Sequence, residues 1–362
     1  MRATSEALAS ARQFRVDGEL TGAEAYGTGH INDTYRVVFR DGGIDRRFLL
    51  QRVNTRVFTD PAALMQNVER VARHIGSLLK DNPDRERRTL TIIPAEDGHP
   101  YLFDGEGSCW RMMRFIEGAH APERIASTQQ AFRVAEAFGR FQRQLASLPS
   151  PRLNDTIPEF HNTPKRFASL EQALDADIAN RAHRAKAEIA FATARKKLTC
   201  VLLDAKLPER VTHNDTKSSN VLLDDTTGEG LCVIDLDTVM PGLALYDFGD
   251  MVRSMASPAA EDERDLSRVA VDVVVFEALA RGYLASAGDL LSTEEKGLLV
   301  VAGELITFEN GLRFLTDFLN GDTYYKTDRE GQNLDRCRTQ FKLVESIEQN
   351  RESLNKMVES LL

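Results

Sequence analysis

The stretch VTHNDTKSSNVLLDD, residues 211–225, changes abruptly from polar to apolar. Each of its Asp, Asn, Thr and Ser residues is common in turns, so any one of them alone fits an ordinary loop. Their combination is more informative, because H-x-D-x-K-x-x-N is followed fifteen residues later by Asp235 at the end of an apolar strand. Every member of this pattern has a chemical task, so we interpret it as a strand end that presents an acid, a cation and a metal ligand to one substrate.

The runs VLLDD and GLCVID flank a turn-rich centre, which is typical of a β-hairpin. Antiparallel register then sets Leu222 against Val233 and Asn220 against Asp235. An amide oxygen and a carboxylate meet there, and Mg²⁺ takes such oxygen ligands. Asp215 precedes Asn220 by five residues, so we expect it beside the metal, where it orients a hydroxyl and accepts its proton.

Composition excludes several classes of protein. With 362 residues, 42% of them hydrophobic, the chain can bury a large core in two or three domains or in one two-lobed unit. A net charge of −9 without a long basic run argues against nucleic acid or an anionic membrane as the main partner. We find neither a signal-peptide pattern nor a membrane-spanning segment and expect a cytoplasmic location. No C-x-x-C pair signals a disulfide framework or a zinc site among the cysteines Cys109, Cys200, Cys232 and Cys337.

The chain changes character near its first third. Residues 14–117 contain short β-like runs and a single helical pattern that follows Pro61. Later segments, including 178–198 and 298–319, have helical patterns. We therefore predict an α+β fold with a small β-sheet lobe, residues 1–117, and a large helical lobe, residues 118–362.

His213, Asp215, Lys217 and Asn220 resemble the catalytic loop of protein-kinase-like phosphotransferases, and Asp235 resembles the metal-binding aspartate of the next strand. The resemblance implies the two-lobed protein-kinase-like fold, with ATP and Mg²⁺ as cofactors. It also implies the roles of these residues. Asp215 is the base, Lys217 contacts the transferred phosphate, Asn220 and Asp235 hold magnesium, and His213 supports the loop.

This fold needs a glycine-rich turn and a cation near the nucleotide phosphates. Gly27 and Gly29 precede a strand and fit the turn, although glycines mark many hairpins. Arg52 stands where the family usually has a lysine that holds the phosphates, and Glu69, in the only helix predicted for the small lobe, is the carboxylate expected to pair with it. Two alternatives remain open: Arg52 and Glu69 are surface residues, or the strand register places Gln51 at the phosphate site.

The run CWRMMRFIEG, residues 109–118, corresponds to the last strand of the small lobe and the hinge that follows it. By the same resemblance, backbone groups from Met113 through Phe115 to Ile116 meet the adenine. We expect Trp110 and Met112 to lie in the core.

Two features distinguish the chain from protein kinases. About sixty-five residues separate Leu148 from His213, and YDFGD follows IDLDT within nine residues, which leaves no space for an activation segment. These features resemble the aminoglycoside phosphotransferase and choline kinase-like group, which phosphorylates small hydroxyl compounds. Asp247 then corresponds to the aspartate that braces the catalytic loop, with a helix N-cap as the alternative.

A longer set of segments resembles the N-acetylhexosamine 1-kinases. They are GTGHINDTY, LLQRVN, FHNTPKRF, HNDTKSSNVLLD, IDLDTVMPGLALYDFGD and TFENGLRFLTDFLNGDTYYKT. The resemblance implies transfer of the γ-phosphate of ATP to the anomeric C1 hydroxyl of N-acetylglucosamine or N-acetylgalactosamine. Two alternatives are another small-molecule hydroxyl kinase of the same group and an inactive pseudokinase that serves as an interaction module.

Glu309, Arg313 and Asp317 recur at four-residue spacing in one predicted helix. One interpretation is an exposed ladder of ion pairs, each worth a few tenths of a kcal/mol. The interpretation that we prefer assigns Arg313 to the hydroxyls or the acetamido carbonyl of a sugar. Further candidates for contact with the sugar are Tyr324, Tyr325 and His161.

Overall fold

An antiparallel sheet forms the N-terminal part of the chain in the structure, a computed structural model that describes residues 2–27 and 31–362. Its strand order is β1-β2-β3-β6-β4, with β5 paired to β6. The two-residue turn Gly42–Gly43 has positive φ at both positions, as required for a tight hairpin between β2 and β3. The strands are β1 Glu19–Ala25, β2 Asp33–Asp41, β3 Ile44–Arg52, β4 Ile92–Ile93, β5 Leu102–Phe103 and β6 Cys109–Arg114.

Helices cover both faces of this sheet. On one face, the first helix packs against Tyr35 and Trp110 of the sheet core. The helix predicted for the stretch after Asp60 lies on the other face. It begins at Pro61, and the Asp60 side chain accepts a hydrogen bond from the Ala63 N–H at 3.0 Å. The helices of this part are α1 Arg2–Ala11, α2 Pro61–Leu78 and α3 Arg85–Arg88.

The C-terminal part is mainly helical. Gly282 allows α4 and α9 to approach closely, because a side-chain carbon there would lie 2.3 Å from the Phe132 carbonyl oxygen. The aromatic rings of Phe248, Phe276 and Tyr283 fill the core beside this contact. The helices are α4 Thr128–Leu145, α5 Thr163–Ala176, α6 Lys186–Ala194, α7 Val201–Asp204, α8 Ala244–Met255, α9 Val273–Ala287, α10 Thr293–Gly297, α11 Leu299–Leu319 and α12 Gln332–Ser360.

Two small sheets lie between these parts. One joins strands in the order β10-β9-β7, and the other pairs β11 with β8. Each of these sheets includes residues of the stretch 211–225. Their strands are β7 Ala119–His120, β8 Arg210–Thr212, β9 Val221–Asp224, β10 Gly230–Val233 and β11 Met240–Gly242.

The predicted fold class is confirmed: an antiparallel sheet occupies the N-terminal part of an α+β chain and helices dominate the C-terminal part. The large sheet ends at Arg114, and the next strand, β7, joins a different sheet. A lobe boundary at residue 117 stays a prediction. None of the helices in the described ranges has both the length and the apolar character needed to cross a membrane.

Candidate active site

The loop predicted to be catalytic, residues 213–220, connects β8 to β9 and starts at a buried histidine. The His213 Nε2 atom lies 2.9 Å from the Ile234 carbonyl oxygen. The ring also packs edge-to-face against Phe138 and Phe141, with centroid distances of 5.4 and 5.8 Å. His213 therefore ties the start of the loop to the residue that precedes Asp235.

Helix α8 holds the loop in place through a side chain that accepts hydrogen bonds from the loop backbone. The Asp247 carboxylate accepts hydrogen bonds from the backbone N–H groups of His213 and Asn214, at 3.0 and 2.8 Å, and from Gln142 Nε2 at 2.9 Å. Burial raises the pKa of Asp247, and its hydrogen bonds oppose this rise only in part. The N-cap of α8 is Leu243, so Asp247 holds the loop and is not a helix cap.

A second aspartate of the same helix was missed in the sequence. Asp250 accepts a hydrogen bond from the Thr216 N–H at 2.7 Å and one from Arg253 Nε at 2.6 Å. It lies three residues after Asp247, on the same face of the helix. That spacing in YDFGD was the available signal.

Asp215, Lys217 and Asn220 come together as predicted for a shared site. Lys217 Nζ lies 2.9 Å from Asp215 Oδ2, and Asn220 Nδ2 donates to the same oxygen at 2.8 Å. Burial opposes ionisation of Asp215, but the charge and hydrogen bond of Lys217 outweigh it and lower the pKa of Asp215 to about 2. Asp215 raises the pKa of Lys217 in return. The carboxylate is therefore ionised at neutral pH and can accept a hydrogen bond from a hydroxyl.

The predicted hairpin forms, but its register was wrong by one residue. Val233 pairs with Val221 instead of Leu222, and the Ile234 N–H donates to the Asn220 carbonyl oxygen at 2.9 Å. Beside the turn, Gly230 pairs with Leu223, two residues from its predicted partner, and the bulge between Gly230 and Cys232 reduces this difference to one residue. Asp235 consequently lies just beyond the ladder.

Asp235 and Asn220 fit a magnesium ion. Burial raises the pKa of Asp235 to about 6, and the nearby carboxylates of Asp237 and Asp215 add to this effect, so a cation bound beside Asp235 would favour its ionised form. The Asn220 amide group donates to Asp215 through Nδ2, which leaves its oxygen for a cation. Within the described residues no three His, Cys, Asp or Glu side chains form a metal cluster by themselves, and Mg²⁺ usually completes its shell with phosphates and water.

The structure does not bring Arg52 and Glu69 together. Arg52 Nε donates to Asp33 at 2.9 Å, and its guanidinium also pairs with Glu6 and lies over the Trp110 ring. Glu69 pairs with Arg73, one helical turn further along α2. Successive strand residues face opposite sides of a sheet, and Arg52 is on the side away from α2. The neighbouring Gln51 donates to Thr34 Oγ1 at 3.1 Å and accepts from Arg111 Nε at 3.0 Å.

We expect Arg52→Met and Glu69→Gln each to change the apparent affinity for ATP by no more than about twofold, because partly exposed ion pairs contribute little free energy. The effects of the two substitutions should be additive, since the residues share no contact. Initial-rate measurements over a range of ATP concentrations test this. A large and non-additive loss of ATP affinity would restore the pair to the phosphate site.

Of the two glycines predicted to form the nucleotide turn, Gly27 follows β1 with φ of 76°, a left-handed conformation that favours glycine. Gly29 lies outside the described residues. Contact of either residue with a nucleotide stays a prediction.

The predicted hinge leaves the large sheet at the end of β6. Met113 is buried, and its backbone pairs with β3 on one side and with β4 on the other. The Phe115 N–H donates to the Arg47 carbonyl oxygen at 3.2 Å. The Phe115 ring lies 5.5 Å from that of Tyr26, edge to face. Ile116 packs into an apolar cluster that includes Leu222 and Ile234. Trp110 and Met112 are fully buried, which confirms their prediction as core residues.

Glu309, Arg313 and Asp317 do not form an exposed ladder of ion pairs. Both Glu309 oxygens are buried and engaged, one by His161 Nδ1 at 2.8 Å and the other by Thr163 Oγ1 at 2.6 Å. Asp317 accepts backbone hydrogen bonds from residues 323–325 and so shapes the turn after α11. Tertiary contacts therefore use the two carboxylates separately.

Among residues 2–27 and 31–362, no carboxylate forms an ion pair with Arg313. Its guanidinium lies over the rings of Phe160 and Tyr325, at 5.3 and 5.7 Å from their centroids. Tyr325 is half-buried, and burial raises its pKa to about 12, whereas Tyr324 is 58% exposed. Phe160, His161, Arg166, Arg313 and Tyr325 form one cluster, which we name the acceptor pocket after the role that we propose for it below. Arg166 and Phe160 were not predicted as members.

Solved structures with the same fold include phosphotransferases from several organisms. An aminoglycoside phosphotransferase from Alicyclobacillus acidocaldarius is 16% identical, with a TM-score of 0.61 over 97% of this chain and 96% of its own. A microcompartment-associated aminopropanol kinase is 16% identical, with a TM-score of 0.57 over 97% and 98%. Choline kinase from Cryptosporidium parvum is 14% identical, with a TM-score of 0.51 over 94% and 91%. At these identities the likeness shows the fold alone.

The family assignment rests on the sequence match. The model of the phosphotransferase enzyme family matches residues 22–284, more than half of the chain and a range that includes the whole catalytic loop. Kinases of this family use ATP with Mg²⁺ to phosphorylate hydroxyl groups of small molecules. This protein therefore belongs to the phosphotransferase enzyme family and is a small-molecule kinase that uses ATP and Mg²⁺.

Proposed function

We propose that the protein transfers the γ-phosphate of ATP to the anomeric C1 hydroxyl of an N-acetylhexosamine, either N-acetylglucosamine or N-acetylgalactosamine. Asp215 is the base, Lys217 contacts the transferred phosphate, and Asn220 and Asp235 hold magnesium. Segments along most of the chain support the sugar assignment by their resemblance to N-acetylhexosamine 1-kinases. The charge of the acceptor pocket supports it independently.

That charge is the observation that carries the proposal. No carboxylate in residues 2–27 or 31–362 forms an ion pair with Arg166 or Arg313, and Arg166 donates only to the Phe160 carbonyl oxygen, at 2.8 Å from Nη2. The nearby acid Glu309 is engaged by His161 and Thr163. Glu261 lies near Tyr325 and pairs with arginines outside the pocket. The pocket therefore keeps positive charge.

A positive pocket disfavours an acceptor that carries an ammonium group. Choline and aminopropanol, the compounds named for two proteins of the same fold, are both cations at neutral pH. N-acetylation removes the charge of an amino sugar and provides a carbonyl oxygen that a guanidinium can bind. The aromatic rings of Phe160 and Tyr325 provide a surface for the apolar face of a sugar ring.

His161 adds a second polar contact to the pocket. It is only 6% exposed, and its Nε2 atom is buried without a hydrogen-bond partner in the described chain. Buried polar atoms are seldom left unpaired, so this atom is a candidate for ligand contact. Glu309 holds Nδ1, and in the neutral imidazole with Nδ1–H the Nε2 atom is an acceptor. We assign it to a hydroxyl or to the amide N–H of the acceptor.

The chemistry follows from these positions. Asn220 and Asp235 would hold a magnesium ion, which would supply positive charge to neutralise the charge that develops on the phosphates of ATP. The ionised Asp215 accepts a hydrogen bond from the acceptor hydroxyl and takes its proton late in transfer. Lys217 adds a positive charge within 2.9 Å of that carboxylate. We assign the adenine to the apolar cluster of Ile116, Leu222 and Ile234, beside the hinge.

An acceptor panel tests the proposal. We expect N-acetylglucosamine or N-acetylgalactosamine to give a kcat/KM at least about 10²-fold higher than glucosamine or glucose, because each of these lacks the acetamido group that the pocket binds. ATP-dependent phosphorylation of each compound is followed by ADP release. Higher kcat/KM for glucosamine, choline or aminopropanol would contradict the assignment and support another hydroxyl kinase of the family. Absence of turnover with the whole panel would support the pseudokinase alternative, although Asp215, Asn220 and Asp235 are all present.

A further inference from the structure

The strand that should supply a phosphate-binding cation presents an uncharged residue to the site. On β3, Leu50 lies in the core with Tyr35 and Trp110, and Arg52 lies on that same side of the sheet. Gln51, between them, faces the opposite side, toward α2. In protein kinases this position carries a lysine that pairs with a helix glutamate. In this protein Gln51 cannot form such an ion pair, so another residue must supply the positive charge at this position.

A cation from the neighbouring strand lies at this place. Arg111 is the cross-strand partner of Gln51 on β6 and is only 2% exposed. Its Nε donates to Gln51 Oε1 at 3.0 Å, and its Nη1 donates to Asp237 Oδ1. On the helix side, Nη1 lies 3.8 Å from the sulfur of Met65, so α2 offers an apolar residue there.

The partner of Arg111 belongs to the magnesium side of the site. Asp237 lies in the short 3₁₀ turn Leu236–Thr238, two residues after Asp235. Its second oxygen accepts a hydrogen bond from Asn32 Nδ2 at 2.7 Å, and its carbonyl oxygen accepts one from Thr156 at 2.8 Å. The carboxylate is thus bonded to two residues from the large-sheet region, Arg111 and Asn32.

We propose that the buried Arg111–Asp237 pair occupies the place of the strand-lysine and helix-glutamate pair of protein kinases and positions a metal ligand instead of binding phosphate. It joins the large sheet to the turn after Asp235 and so holds that carboxylate toward Asn220. Arg111 is a positioning residue, because it acts on the metal through Asp237. The inference rests on the proposed assignment of Asp235 to magnesium.

The double variant Arg111→Met/Asp237→Leu separates positioning from folding. Replacing both partners of a buried ion pair with apolar residues often leaves a protein stable, whereas removing one partner leaves an unpaired buried charge. We expect the double variant to melt as a folded protein and to bind ADP without metal within about twofold of the native affinity. Without its support, the metal site should require about tenfold or more additional Mg²⁺ for half-maximal enhancement of ADP binding.

The measurement is calorimetric titration with ADP at a series of Mg²⁺ concentrations, which does not depend on turnover or on the acceptor. A matched control is Glu304→Leu/Arg351→Met, because Glu304 is also buried and ion-paired but lies between α11 and α12. Its Mg²⁺ dependence should be native. A stable Arg111→Met/Asp237→Leu protein with native Mg²⁺ dependence would overturn the positioning role. Asp235→Ala tests the underlying assignment separately, since native Mg²⁺ dependence in that variant would reject the proposed metal site itself.

Discussion

Asp215→Asn is expected to lower turnover by about 10²-fold or more while the protein remains folded. The amide has nearly the same shape as the carboxylate, so the contact with Asn220 Nδ2 can persist through the amide oxygen. It cannot take a proton from the acceptor hydroxyl. Lys217 loses its partner, but its side chain is 44% exposed and water can solvate it. Turnover with saturating ATP and acceptor, together with a melting curve, tests the prediction.

The matched control is Asp225→Asn. Asp225 lies on the hairpin turn after β9, where its exposed carboxylate pairs with His120. This variant loses the same charge outside the site, and we expect its turnover to remain native. ADP affinity of Asp215→Asn, measured by calorimetry, should also remain close to native, because the loss concerns the proton and not the nucleotide. Native turnover in Asp215→Asn, with a normal melting curve, would reject the mechanism.

Local patterns were sufficient to predict the loop and several helices. The spacing of His213, Asp215, Lys217 and Asn220 identifies a loop whose side chains meet, because the residues are close in the chain. Helix α2 begins at Pro61 as predicted, since its cap and first turn are encoded in consecutive residues. These features depend little on distant parts of the molecule.

Errors arose where one residue or one distant contact decides the outcome. The hairpin already pairs Gly230 with Leu223 beside its turn, and a bulge after Gly230 changes the register once more. A side chain on that glycine would lie 2.7 Å from Ala137 of α4. Arg52 and Gln51 are adjacent, but they face opposite sides of the sheet. The helix predicted over residues 178–198 does not form as one element. Asn180 has positive φ, which a right-handed helix does not allow, and α6 spans only Lys186–Ala194.

The acceptor pocket and the Arg111 pair required the structure. Arg111 and Asp237 are 126 residues apart, and His161 and Glu309 are 148 residues apart. Periodicity along α11 correctly grouped Glu309, Arg313 and Asp317 on one side. It does not reveal which of them forms no ion pair with the residues that the structure describes. That difference arises from tertiary contacts and gives the pocket its charge.

The anomeric hydroxyl is the expected site of phosphorylation, so N-acetylglucosamine should react and its methyl glycoside should not. Asp215, with a pKa of about 2, is a weak base. An anomeric hydroxyl is more acidic than the other hydroxyls of a sugar, so a weak base can assist its reaction late in a loose transition state. The measurement is ADP release with each sugar, and phosphorus-31 NMR of the product identifies the carbon that carries the phosphate.

Two analogues of the sugar distinguish the position of phosphate transfer from binding in the pocket. The 6-deoxy analogue of N-acetylglucosamine keeps the anomeric hydroxyl and lacks the primary one, so it should still be phosphorylated. The methyl glycoside should inhibit competitively if the pocket accommodates its methyl group; if it does not bind, the NMR assignment alone decides the position. Phosphorylation of the methyl glycoside at the rate of the free sugar, or loss of reaction with the 6-deoxy analogue together with phosphate on C6, would exclude anomeric transfer. Either result would leave the acceptor pocket to a different hydroxyl of a neutral substrate. Arg166 and Arg313, which form no ion pair within the described part of the chain, disfavour a cation in both cases.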